Sequence, residues 1–79
     1  MQKHIMRTLA KFVKDKRKEN NLTQEEFAGM AGVALTVIRK IEQGKENLNL
    51  EKVNQVLKMF GHVLAPVNNK ETMRSDENQ

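Results

Sequence analysis

Residues 22–44, Leu-Thr-Gln-Glu-Glu-Phe-Ala-Gly-Met-Ala-Gly-Val-Ala-Leu-Thr-Val-Ile-Arg-Lys-Ile-Glu-Gln-Gly, predict two short helices joined by one tight turn. Thr23 suits an N-cap, and Glu26, three residues on, completes a capping box in which each side chain meets the other's backbone N–H. Leu22 before the cap and Phe27 after it hold the staple positions, which fix the angle at which the chain enters the helix. The first helix of the pair should run from Gln24 to about Met30 or Ala31, and Gly32 suits the left-handed residue that ends it. Gly29 lies inside that helix at a cost of roughly 1 kcal/mol against alanine, for which close packing of helices is one candidate reason. The second helix spans about Leu35 to Gln43, turns Ile38 and Ile41 inward, and closes at Gly44.

Upstream, Ile5, Leu9, Phe12, Val13 and Lys16 recur at helical spacing with most lysines on the other face. This predicts a helix from about residue 3 to 19, stopping at Asn20-Asn21. Downstream, Lys45-Glu46-Asn47 is a polar loop, and Asn49 caps a fourth helix with Leu48 and Val53 as its staple. Val53, Val56, Leu57 and Phe60 form its inward stripe, and Gly61 ends it. Residues 62–67, His-Val-Leu-Ala-Pro-Val, are short, β-prone and halted by Pro66. A lone strand leaves its edges unpaired. The sequence therefore predicts antiparallel pairing with the same strand of a second copy, with Val63, Leu64 and Ala65 at the interface. Residues 68–79 carry a single apolar side chain, Met73, and are expected to be a disordered polar tail. The expectation is one all-α domain over residues 1–67, with four to five helices and a dimerising C-terminal β-strand at 62–67.

The chain has 79 residues, 38% of them hydrophobic, and a formal net charge of +4. That is enough for one small core. It has no cysteine, so no disulfide framework is available and a reducing compartment fits. No apolar run approaches the length of a membrane span or of a signal peptide, so a cytoplasmic protein with no membrane partner is expected. Enzymatic chemistry lacks its inventory. The one serine, Ser75, lies in the tail, and His4, His62, Asp15 and Asp76 form no nucleophile–base pair and no metal-ligand cluster. His62 reads as a structural or interface residue and His4 as exposed; no catalytic residue, metal or cofactor is expected. Basicity is concentrated in residues 1–20, where Lys3, Arg7, Lys11, Lys14, Lys16, Arg17 and Lys18 face only Asp15 and Glu19, a net of +5. Such a balance fits a polyanionic partner.

Two short helices around the glycine-containing joint Ala31-Gly32-Val33-Ala34 form a helix-turn-helix pattern. Small Ala28 admits close approach of the second helix, and Val33, Ile38 and Ile41 lock the pair onto the core. The runs Leu22-Thr23-Gln24-Glu25-Glu26-Phe27-Ala28, Ala31-Gly32-Val33 and Ile38-Arg39-Lys40-Ile41-Glu42-Gln43-Gly44 resemble the Xre/Cro-type helix-turn-helix domains of bacterial and phage repressors. The resemblance covers about residues 5–61 and implies a lambda-repressor-like fold. Phe60-Gly61 followed by a short apolar segment with a proline resembles a narrower branch, the HipB-like antitoxins. These pair with HipA-type kinase toxins, and their strand builds the dimer.

In the Xre/Cro-type family the third helix lies in the major groove. Carried over position by position, the resemblance implies that Leu35, Thr36, Arg39 and Lys40 face DNA. Thr36 would meet a base edge or a thymine methyl, and Arg39 and Lys40 guanine or phosphate. It further implies that Gln24 clamps a phosphate together with the helix N-terminus, and that Gln43 and Lys45 flank the next phosphates. Arg17 and Glu42 match a structural ion pair between the first helix and the end of the third. Arg17 is then not a DNA-facing charge, and Lys14, Lys16 and Lys18 remain as candidates. The sequence departs from the family at Ala34, where Ser or Thr usually caps the recognition helix, a loss of about 1 kcal/mol unless Thr36 takes over. It departs again at Leu35, where a polar residue is common. The expected function is a homodimeric repressor bound to an inverted-repeat operator on double-stranded DNA, autoregulating the operon of a HipA-type kinase toxin as its antitoxin. The alternatives are a stand-alone regulator without a toxin and a protein-interaction module with little DNA binding.

Overall fold

The computed structural model of the chain describes residues 2–68, with side chains from residue 6 onward. The side chains of His4 and Ile5, which entered the expectations above, and the tail beyond residue 68 lie outside what is described. Four α-helices follow in order: α1 (Gln2–Glu19), α2 (Gln24–Ala31), α3 (Leu35–Glu42) and α4 (Leu50–Leu57), the last prolonged by a 3-10 turn over Lys58–Phe60. The fourth helix was expected to reach Gly61 as α-helix. Its final turn instead tightens to 3-10 geometry, a common way of satisfying the last carbonyls of a helix.

The local signals around α2 act as their chemistry dictates. Thr23 Oγ1 accepts from the Glu26 N–H at 3.0 Å while Glu26 Oε1 accepts from the Thr23 N–H at 2.8 Å, a complete capping box. Gly32 sits at φ 75° and ψ 31°, and its N–H returns to Ala28 O. An L side chain pays roughly 1–2 kcal/mol in that left-handed region, so glycine is what lets the chain reverse between α2 and α3. Asn49 Oδ1 accepts from the Lys52 N–H at 3.1 Å and caps α4. Ala34 stands at the N-cap of α3 with extended backbone and no side-chain cap, and Thr36 does not replace it.

One core holds these helices together. Val13 of α1, Phe27 of α2, Ile38 and Ile41 of α3, and Val53 and Val56 of α4 are the large side chains closed to solvent. Each such side chain contributes about 1.5–3 kcal/mol relative to exposure, and together they fix α2 and α3 against α1 and α4. Phe60 of the 3-10 turn closes one end, 5.6 Å from the Phe27 ring and edge-on to Phe12 at 6.2 Å. Gly29 packs against nothing: a Cβ built there meets no atom within 4 Å. Close packing of helices, one candidate reason for this glycine, is absent.

The strand expected over residues 62–67 is not formed. Residues 62–68 run without regular secondary structure. The segment turns back on its own chain: the Leu64 N–H donates to Asn54 Oδ1 at 2.7 Å, and the Leu64 side chain packs on the core. The His62 ring lies 4.6 Å from that of Phe12, and its Nδ1 is 2.7 Å from the Phe60 carbonyl oxygen. Val63 and Val67 remain exposed. A ladder needs a second strand, and none exists among the described residues. Leu64, expected with Val63 and Ala65 at an interface, is instead partly turned inward.

Candidate nucleic-acid interface

The third helix divides cleanly into two faces. Ile38, Ile41 and Glu42 are buried, whereas Thr36, Arg39 and Lys40 are exposed. Leu35 is half-buried and packed on the core, so its outward surface is small. Gln43 and Lys45, just past the helix, are exposed. The residues expected to face DNA thus share the outer side of α3 and the loop after it, with Leu35 acting as much as an anchor as a contact.

The buried carboxylate of Glu42 organises the inner side. Arg17 Nε donates to Glu42 Oε2 at 2.7 Å and Nη2 to Oε1 at 3.0 Å, a bidentate pair. Arg17 Nη1 also donates to the Leu22 carbonyl at 2.9 Å. One guanidinium therefore joins α1, the entry to α2 and the end of α3. The side chains are only 14% and 3% exposed, so the charges are compensated by each other rather than by water. The hydrogen bond to Glu42 raises the guanidinium pKa above its ordinary value, partly offset by burial. Paired guanidinium and carboxylate groups of this geometry rank among the stronger protein hydrogen bonds.

Gln24 completes this network: its Nε2 donates to Glu42 Oε1 at 3.1 Å. A primary amide has two N–H donors. One is spent on Glu42, which holds the side chain still and leaves the second donor with a fixed direction. Thr23, Gln24, Leu35 and Arg39 line a shallow hollow of about 320 Å³ beside α3. The resemblance in the sequence pointed to Gln24, but its bond to Glu42 joins residues that meet only once α2 and α3 have packed.

Gln55 of α4 went unnoticed in the sequence. Its Nε2 donates to both Ala31 O and Gly32 O at 3.0 Å. The two carbonyls at the turn between α2 and α3 are thereby tied to the neighbouring helix. The only signal was the pair of amides Asn54-Gln55 beside the apolar stripe of α4, and both are used: Gln55 on the turn and Asn54 on Leu64.

Residues 13–63, more than half of the chain, match the helix-turn-helix family (HTH_3). The chain belongs to the helix-turn-helix family. A relative from Sinorhizobium fredii (strain NBRC 101917 / NGR234), an uncharacterised HTH-type transcriptional regulator designated y4mF, is 49% identical over 53 residues, covering 63% of this chain and 70% of the relative. In this helix-turn-helix protein α2 and α3 are the paired helices, Gly32 is the turn, and α3 is the recognition helix by position. No described helix is long and apolar enough to cross a membrane, and no group of metal-binding side chains occurs among the described residues.

Proposed function

We propose that this chain is a transcriptional regulator that binds an inverted-repeat operator as a homodimer and represses transcription, without enzymatic activity. The observation that carries the reading is the polarity of α3: Thr36, Arg39 and Lys40 stand free on its outer face while Glu42 locks its inner face to Arg17 and Gln24. A helix held this way presents base-reading and phosphate-reading side chains from a backbone with little conformational freedom left to lose. The name of the S. fredii relative supports the regulatory role.

Dimerisation is assigned to residues 63–67. Along an extended segment, backbone N–H and C=O groups point to opposite edges on alternate residues. Leu64 spends its N–H on Asn54, which leaves the outer edge to residues 63, 65 and 67. Pro66, with no N–H, falls on the inner edge where it interrupts nothing. Two copies would then pair antiparallel about a two-fold axis through Ala65, covering Val63 and Val67, which are 67% and 61% exposed in the single chain.

Selection of bound duplexes from a random pool at physiological salt tests the DNA reading. An enriched inverted repeat with half-sites about 34–36 Å apart is expected, and absence of enrichment with folded protein overturns it in favour of a protein-interaction module. Two operon contexts fit equally: an antitoxin paired with a HipA-type kinase, which the segment after Phe60-Gly61 resembles, and a stand-alone regulator. Co-purification of a kinase from the native host supports the first, and isolation of the homodimer alone supports the second.

A further inference from the structure

α1 and the residues that follow α3 border two adjoining open hollows that the helix-turn-helix itself does not explain. One, of about 380 Å³, is lined by Arg7 and Lys14 of α1 and by Gln43 and Gly44. The other, of about 700 Å³, shares Arg7, Gln43 and Gly44 and adds Lys45. Arg7, Lys14 and Lys45 are exposed, and none of the three has an ion-pair partner among the described residues.

The acidic groups nearby are neutralised differently. Asp15 is held by Lys11 at 2.8 Å, and that hydrogen bond lowers its pKa. Glu42 is nine-tenths buried with its two oxygens occupied by Arg17 and Gln24. In the outer hollow Glu46 stands against Arg7 and Lys45, and in the inner one Asp15, already held by Lys11, also attracts Lys14. The other lysines of α1 are sorted by the same geometry. Lys16 pairs with Glu19 at 3.6 Å and lies over the Phe12 ring, and Lys18 lines neither hollow.

We infer that Arg7 and Lys14 of α1, together with Lys45, bind phosphates of the DNA backbone, extending the phosphate-contacting surface from Gln24 across the Arg17–Glu42 pair and onto α1. The inference rests on the DNA-binding reading above. Cations contacting phosphate set affinity and orientation without reading sequence, and each contact removed flattens the dependence of log K on log salt by about 0.9. The hollows flank Gln43 and Gly44, immediately beyond the helix whose outer face carries Arg39 and Lys40, so they reach phosphates next to the base pairs that helix meets.

The test compares two double variants of the full chain, Arg7→Ala with Lys14→Ala and Lys18→Ala with Lys58→Ala. Both lower the formal net charge from +4 to +2, so the long-range field changes alike. Binding to the selected operator and to a scrambled duplex is measured across a salt series, with helicity checked by circular dichroism. The first double variant is expected to lower the salt slope by about 1.8 per subunit, to weaken operator and scrambled DNA by the same factor, and to keep the same preferred sequence. The second is expected to keep the wild-type slope. Equal slopes for the two doubles, or a changed sequence preference in the first, overturn the inference while leaving the DNA reading intact. A wild-type chain that binds neither duplex overturns both.

Discussion

The two ends of α3 are built in opposite ways. Its C-terminal end is fastened by a buried carboxylate that receives Arg17 from α1 and Gln24 from α2. Its N-terminal end begins at Ala34 with an extended backbone and no side-chain cap. The first N–H groups of a helix carry a partial positive charge and need acceptors. At the fastened end the N–H groups of Gln43, Gly44 and Lys45 meet the Arg39, Ile41 and Lys40 carbonyls. At the open end no side chain caps the helix: the Val37 N–H returns to the Ala34 carbonyl at 3.0 Å, and the Leu35 and Thr36 N–H groups are left to solvent or to an anionic ligand. Rigidity is thus concentrated where α3 meets the core, and unsatisfied bonding capacity where it leaves it.

Substitutions at each end sharpen this contrast. Glu42→Ala should have the largest effect, because it strands a buried guanidinium and frees Gln24. A loss of about 3–5 kcal/mol in urea unfolding is expected, a large share of the stability of so small a domain. A loss near that of a surface ion pair would show that the fastened end is no anchor. Arg39→Ala, on the exposed face between the ends, should leave unfolding unchanged and weaken operator binding by about 1–3 kcal/mol if it meets a base edge, read by titration of labelled duplex.

The turn that delivers α3 comes next. Gly32→Ala combines a left-handed backbone with a Cβ 3.1 Å from Gln55 Nε2, and a thermal or urea midpoint corresponding to about 1–2 kcal/mol of destabilisation is expected. Ala34→Ser should do the reverse. With the cap backbone already extended, a hydroxyl can accept from the next turn and stabilise the domain by about 1 kcal/mol. No gain would mean that the open end is already satisfied. The smallest effect belongs to Gly29→Ala, away from both ends, where the space for a Cβ is open. A stabilisation of about 0.5–1 kcal/mol is expected from helix propensity alone.

The parts legible in the sequence were those decided over a few residues. Thr23 with Glu26, Gly32, and Asn49 each settle a helix end through contacts within four positions of themselves, and the helices form where those signals put them. The Arg17–Glu42 pair could be named because the surrounding motif resembles a family in which it occurs. The bonds of Gln24 to Glu42 and of Gln55 to the α2–α3 turn span 18 and 23–24 residues, and no local pattern announces an amide that acts only after packing. Gly29 misled because a glycine in a helix suggests contact, whereas here nothing approaches it. Residues 62–67 misled for another reason: β-prone composition describes an extended segment equally well whether or not a second strand lies beside it, and within the single chain the His62 N–H goes to the Leu57 carbonyl and the Leu64 N–H to Asn54.

The contact of the tilted His62 ring with Phe12 gives α1 a role as a ruler. The root of the C-terminal segment leans on Phe12, and the end of α3 is clamped to Arg17, five residues further along the same helix, a rise of about 7.5 Å. Both attachments are thus marked off on one rigid rod. In a dimer joined through the C-terminal segments, the interval between the two recognition helices would be inherited from that rod. Changes that tilt or shorten it would alter which half-site spacing is preferred before they altered how tightly any one half-site is held.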